Sequence, residues 1–246
     1  MTVDARLERL YRQVELVRGA GNRKRGRLCI MSFVAFLAEE HHTDNPCTAS
    51  VLIRQFAIIV NDEMPDHLRQ QLKPFAPRII GTRDGQDRLR AELLMNAARL
   101  DILPRIAVDF GEDAQRQANL RRACGDLPKM EVLIDLRDKA ASLVLHARSA
   151  AGMSGQEELA SILARLLTHC AKTATDPACR DWYWLKAIEL LDRLCDVGPD
   201  RPQPQFQPER LASLEAFLKR REDVQRRKTR VAAALVRARS LIPALW

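Results

Sequence analysis

The chain has 246 residues, 46% of them hydrophobic, with 40 Lys and Arg against 32 Asp and Glu, a net charge of +8, ten Gly and two Tyr. That is enough chain for one large core or two small ones, and abundant Leu, Ala and Arg with little Gly favour helix over sheet. No uncharged apolar run reaches the ~18 residues a membrane span needs, and Met1-Thr2-Val3-Asp4-Ala5-Arg6 lacks the basic-then-apolar layout of a secretory signal. The expected class is therefore an all-α multi-helix bundle in the cytoplasm, with its six scattered cysteines reduced and no cofactor implied.

Val3, Leu7, Leu10, Val14 and Val17 recur at steps of three and four, which predicts an amphipathic helix over 3–18 ending at Gly19. Leu28 to Ala38 is apolar almost all round, as befits a helix at the centre of a core. Asn45 followed by Pro46 reads as a cap and first turn, opening a helix that runs to Asn61-Asp62. Residues 28–62 are thus expected to form a central buried helical hairpin. Pro65, Pro74 and Pro77 then punctuate short turns and helices, and Leu89, Leu93, Ala97 and Leu100 mark a further helix that Pro104 ends or kinks.

Residues 112–124 are polar and Arg-rich, and carry only a weak helical pattern. Leu133, Leu136, Ala140, Leu143 and Val144 resume helical spacing. Ser154 and Glu157 have the form of a capping box ahead of Leu159, Ile162, Leu163, Leu166 and Cys170, and Asp176-Pro177 starts another helix with Trp184, Ile188, Leu191 and Cys195 on one face. Residues 198–208 hold four prolines and read as an extended linker. Residues 209–242 contain neither Gly nor Pro, which permits one basic helix of about 50 Å. The expected organisation is a helical domain over 1–197, a linker over 198–208 and a basic C-terminal helix over 209–246.

Cys29-Ile30-Met31, the turn Thr43-Asp44-Asn45-Pro46-Cys47-Thr48-Ala49-Ser50, the pair Asn61-Asp62 and the run Pro77-Arg78-Ile79-Ile80-Gly81-Thr82 resemble a group of uncharacterised bacterial and phage helical proteins. Those proteins share a C-x-M helix, an [ST]-D-x-P-x-C-x-[ST] turn and an N-D dipeptide. The resemblance covers residues 25–100, and Ala187 to Leu194 is similar to their closing helix. Val51 stands where they carry proline after the turn. The resemblance implies a helical protein of bacterial or mobile-element origin and carries no catalytic residues.

Cys29, His41, His42, Asp44 and Cys47 include the donor types of a zinc site or a thiol nucleophile, with Cys29, His42 and Cys47 as the candidate ligands. Their spacing lacks the paired ligands of a zinc motif. The residues favour the plainer reading, with both cysteines buried and Asp44 ordering its own turn. His169, Cys170, Cys179 and Cys195 compete as ligands, but Cys170 and Cys195 already have places on apolar stripes. Trp182, Tyr183 and Trp184 read as core ahead of a base-stacking platform, and Asp109, Glu112 and Asp113 show no partner. No phosphate-loop, dinucleotide, metalloprotease or nucleophile-elbow motif occurs, so no catalytic residue is assigned.

Charge is uneven along the chain. Residues 1–28 carry a net +5 and residues 209–246 a net +6, leaving −3 between them. Arg23, Lys24, Arg25 and Arg27, together with Lys219, Arg220, Arg226, Arg227, Lys228 and Arg230, are the candidate contacts for RNA or DNA backbones, if the two ends lie together. The leading expectation is a non-enzymatic interaction protein, an adaptor or complex subunit, that meets a protein partner or a second copy through the C-terminal helix. Backbone-contacting nucleic-acid binding is the alternative, and a Cys/His metal or thiol protein comes third.

Overall fold

A computed structural model describes residues 3–110, 127–145, 153–198, 209, 211–212 and 214–219. The fold is all-α, with one small three-stranded sheet. In chain order come α1 (Val3–Gln13), β1 (Glu15–Leu16), β2 (Gly21–Asn22), β3 (Arg27–Leu28), α2 (Ile30–Leu37), α3 (Val51–Glu63), α4 (Asp66–Arg69), α5 (Phe75–Ile79) and α6 (Asp87–Ala97). After α7 (103–110) follow α8 (Leu127–Leu145), α9 (Met153–Thr173) and α10 (Pro177–Asp196). The described residues divide into two compact units, one drawn from Met1–Glu15, Asn22–Arg27 and Gln205–Trp246, the other from Leu16–Gly21 and Leu28–Pro204. That division differs from the one drawn along the sequence, because the N-terminal helix groups with the C-terminal segment.

In the first unit, Leu10 and Val14 of the N-terminal segment and Leu211, Leu214 and Leu218 of the C-terminal segment are buried. A lone amphipathic helix cannot cover its own stripe, so both segments gain from sharing one apolar interior. Gly26 takes φ +63, and a side chain there would meet the Gln13 carbonyl at 3.0 Å, so only glycine suits this turn.

The expected helix over 3–18 stops at Gln13. Val14, Leu16 and Val17 fit a strand's alternation as well as a helical stripe, and the choice falls to distant partners. The Gln70 side chain accepts from Leu16 N–H at 3.0 Å and donates to the Leu16 carbonyl at 2.9 Å, holding that residue extended. The three strands pair in the order β1-β3-β2.

Within the second unit α9 is the hub, meeting α3, α6, α8 and α10. Its residues Leu159, Leu163, Leu166, Leu167 and Cys170 are fully buried. All eight residues of α2 are buried, and α2 rests on α3 and α5. The helix ends in a left-handed residue, Glu39 with φ 62, while the Glu40 N–H returns to the Ala35 carbonyl. Asp176 caps α10 with Pro177 at the first position, as its sequence predicts.

Asn45 and Pro46 do not open a helix. The cap of α3 is Ser50, whose hydroxyl accepts from Ile53 N–H, because residues 48–50 are held elsewhere. Ser50 N–H donates to Thr82 Oγ1 at 2.8 Å, Gly81 N–H donates to Thr48 Oγ1 at 2.7 Å, and Arg83 N–H donates to the Thr48 carbonyl at 3.1 Å. The capping box expected at Ser154 does not open its helix either, since Ser154 already lies within α9. Pro104 does not end the helical run, which continues through it in α7. A π-turn over Ala98–Ile102 widens the backbone just before it, which accommodates a residue that cannot donate to the preceding turn.

Buried polar residues lock this bundle. The Asn61 side chain accepts from Ile30 N–H at 3.2 Å and donates to the Val17 carbonyl at 2.9 Å, joining α3 to α2 and to the segment after β1. Arg69 donates to the Asn61 and Met64 carbonyls, both at 2.6 Å. Arg90, wholly buried, donates to Asp84 and Asp87 and to the carbonyls of Thr82, Leu194 and Val197. Replacing Arg90 with Leu takes the donor from three backbone carbonyls and the cation from two half-buried carboxylates, and should cost about 3–5 kcal/mol in urea unfolding. A loss below about 1 kcal/mol, the size of an ordinary surface change, would show that the network is dispensable.

Candidate functional site

Among the described residues the sequence candidates fall into three places. Arg23, Lys24, Arg25, Arg27 and Lys219 belong to the first unit. Lys24, Arg25, Arg27 and Lys219 are exposed and Arg23 is half-buried. Arg23 to Arg25 form a single 3₁₀ turn between β2 and β3, closed by left-handed Gly26. Arg27 pairs with Glu15 at 3.2 Å across exposed surface. Arg220, Arg226, Arg227, Lys228 and Arg230 lie outside the described residues, as do Glu112, Asp113 and most of the residues expected to form a long C-terminal helix.

The Cys/His group is split between buried and exposed positions. Cys29 is buried at the start of α2, where its sulfur accepts from Ser32 N–H at 3.2 Å and lies 3.3 Å from the Ser32 hydroxyl. Burial pushes its thiol pKa up, with the Asp44 carboxylate adding to the shift and the Ser32 contacts opposing it. Cys47 is exposed, contrary to the expectation that both cysteines are buried. Its N–H is taken by Glu40 Oε2 at 2.7 Å, and Thr48 N–H by Glu40 Oε1 at 3.2 Å. His41, His42 and Asp44 are exposed. No group of three His, Cys, Asp or Glu among the described residues is placed to hold a metal ion.

A second polar cluster, which the sequence did not reveal, lies where α7 meets α10. Asp109 Oδ2 accepts from Arg105 Nε, one helical turn before it, at 2.7 Å and from the Tyr183 hydroxyl at 2.9 Å, so the aspartate has both a local and a distant partner. Arg105 also reaches Cys179 Sγ at 3.4 Å and lies 5.2 Å above the Trp182 ring. Tyr183 and Trp184 are core and Trp182 is half-buried, which matches the packing reading of this triplet. Burial pushes the Tyr183 hydroxyl well above its ordinary pKa, and Cys170 and Asp109 push the same way. Burial raises the Cys170 thiol as well. At Cys179 the Arg105 contact pulls the thiol down, but burial and the Asp176 and Asp109 carboxylates outweigh it and the net shift is upward. Both thiols are therefore held away from the thiolate that nucleophilic chemistry requires.

An open groove of about 630 Å³ lies between α3, α8 and α9. Ile58, Ile59, Val132, Leu136 and Ile162 give it an apolar lining, and Asp135, Lys139, Glu158 and Arg165 put both charge signs on it. Lys139 pairs with Asp135 at 2.8 Å, and at one end Glu63 bridges Lys172 and Arg18. Burial lowers the Lys172 pKa, and Arg18 adds to that shift. Val132 is 46% exposed, an uncovered apolar side chain on this surface. Periodicity could not announce the groove, because it depends on which helices become neighbours.

No known protein family, curated protein or solved structure matches this chain. No helix among the described residues is long and apolar enough to cross a membrane.

Two outcomes follow from these environments. Brief alkylation of the native protein at neutral pH, read by peptide mass spectrometry, should modify Cys47 and leave Cys29 and Cys170 intact until the chain unfolds; early modification of Cys29 contradicts its placement. Because the folded pKa values of Cys170 and Tyr183 are raised, the unfolded chain ionises first, near pH 8.5 for the thiol and pH 10 for the phenol. Their contribution to stability is whole below those values and is lost as pH rises above them. The melting temperature should therefore fall from about pH 9 upward, and the fall should flatten in Tyr183→Phe.

Proposed function

We propose that this chain is a non-enzymatic interaction protein, an adaptor or complex subunit, whose second unit offers the groove between α3, α8 and α9 to an amphipathic helix of a partner protein. The observation that carries the reading is the groove itself, with an apolar lining and carboxylates and cations together along it. Such a surface suits a helix whose apolar stripe is flanked by residues of both signs. The state of the other polar groups supports the same reading. Arg69, Arg90, Asn61 and Asp109 are consumed in bonds between elements, and the thiols of Cys29, Cys170 and Cys179 are shifted away from reactivity.

Partner docking through the C-terminal helix, expected from the sequence, loses ground at that helix's start. Leu211, Leu214 and Leu218 are already buried in the first unit, leaving Phe217 as its exposed apolar residue among those described. The groove takes over as the candidate contact surface.

Lysine cross-linking followed by mass spectrometry tests the reading, since Lys139 and Lys172 line the groove. Both should link to one segment of one partner, a segment with apolar residues at helical spacing. Val132→Asp, at an exposed position, should leave the melt unchanged and weaken that partner by roughly tenfold or more, as expected for an apolar contact at an interface centre. Cross-links confined to other surfaces, or a partner indifferent to Val132→Asp, would overturn it.

A further inference from the structure

The first unit gathers charge that the sequence scatters. Its three segments hold seventeen Lys and Arg against seven Asp and Glu, while the remainder of the chain is slightly acidic. The whole protein's excess of positive charge is therefore concentrated in one unit, built from both chain ends. Among its described residues, Arg9, Arg12, Lys24, Arg25 and Lys219 are exposed and have no acidic partner. Fourteen of the seventeen cations are arginine, whose planar guanidinium matches two phosphate oxygens at once and holds its charge at any physiological pH.

We propose that this unit binds the phosphodiester backbone of a nucleic acid, without reading its bases. The inference rests on the reading of the chain as a binding protein and names a second kind of partner on a different surface. A nucleic acid fits better than an anionic membrane. Surface helices that bind bilayers pair basic residues with an exposed apolar face. Here Leu10, Val14, Leu211, Leu214 and Leu218 are turned inward, and Phe217 is the one exposed large apolar side chain among the unit's described residues. The unit offers charge without an anchor. Base stacking has little to work with there, because both described tryptophans belong to the other unit, Tyr11 is half-buried and Phe217 is the one exposed aromatic among this unit's described residues. What remains is electrostatic contact, governed by release of counterions from the polyanion.

Fluorescence anisotropy of the full-length protein tests this with labelled 20-residue single-stranded RNA, labelled 20-base-pair DNA of two unrelated sequences, and anionic vesicles of phosphatidylserine and phosphatidylcholine as a third arm. At least one nucleic-acid arm should bind at low salt, the two DNA sequences alike, with affinity falling more than about tenfold between 50 and 200 mM salt. Lys24→Glu/Arg25→Glu/Lys219→Glu should remove that binding, and the neutral Lys24→Gln/Arg25→Gln/Lys219→Gln should weaken it in part, both at an unchanged melting temperature. Val132→Asp should bind nucleic acid as the parent does, which separates this surface from the protein-docking groove. If that variant alone fails while the charge variants bind normally, the assignment to the first unit is wrong. Absence of nucleic-acid binding at low salt, binding insensitive to salt, or vesicle binding alone would likewise overturn the proposal.

Discussion

The second unit depends on one buried cation. Arg90 lies wholly out of solvent, where an unpaired charge would cost several kcal/mol, and every nitrogen of its guanidinium finds an acceptor. Two of those acceptors, the Leu194 and Val197 carbonyls, lie at the C-terminal end of α10, and the others belong to the turn before α6 or to α6 itself. One side chain thereby satisfies the open end of a long helix and fixes the turn that carries Thr82. Thr82 in turn accepts from Ser50, the residue that caps α3. The start of α3, the start of α6 and the end of α10 are coupled through a guanidinium and two hydroxyls, while α9 fills the space between their helices with leucine.

This coupling gives a physical meaning to runs that look like motifs in the sequence. Thr48 and Ser50, from the turn after Pro46, meet Gly81, Thr82 and Arg83 from the run beginning at Pro77. Asn61 ties α3 to α2 and to the chain after β1, and Asp62 accepts from Gly19 N–H at 2.9 Å. Arg78 joins α5 to α10 through Asp192 and Asp196. The polar residues that stand out in this half of the sequence act as scaffold. A cluster such as Cys29, His42 and Cys47 looks chemical because its members are close in the chain, but the fold buries one thiol and exposes the other residues.

Periodicity disclosed what local physics decides. The stripes of α9 and α10 and the Asp176-Pro177 start could be read directly, because burial of one face and an unpaired first turn impose the same residues on any helix. Reading failed where a distant partner settles the outcome. Gln70 keeps Leu16 extended, Thr82 moves the start of α3 to Val51, and a π-turn absorbs Pro104. Arg69, Arg90 and Asp109 were illegible as buried groups, since Asp66 with Arg69, Asp87 with Arg90 and Arg105 with Asp109 read as ordinary surface pairs at helical spacing until the distant partners are known. The groove was illegible for the same reason, its lining residues coming from three separate helices.

The charge division was half legible. Both basic ends can be counted along the sequence, but their membership of one unit follows from burial of Leu10, Val14, Leu211, Leu214 and Leu218 and not from the arginines themselves. Like charges repel, so a unit with this excess must be held by its apolar interior against its own field. A chain that needed only solubility would spread its cations among its acids and lower that repulsion. Concentrating them while the larger unit stays slightly acidic stores electrostatic work in the free protein. A polyanion that neutralises the field releases this work on binding.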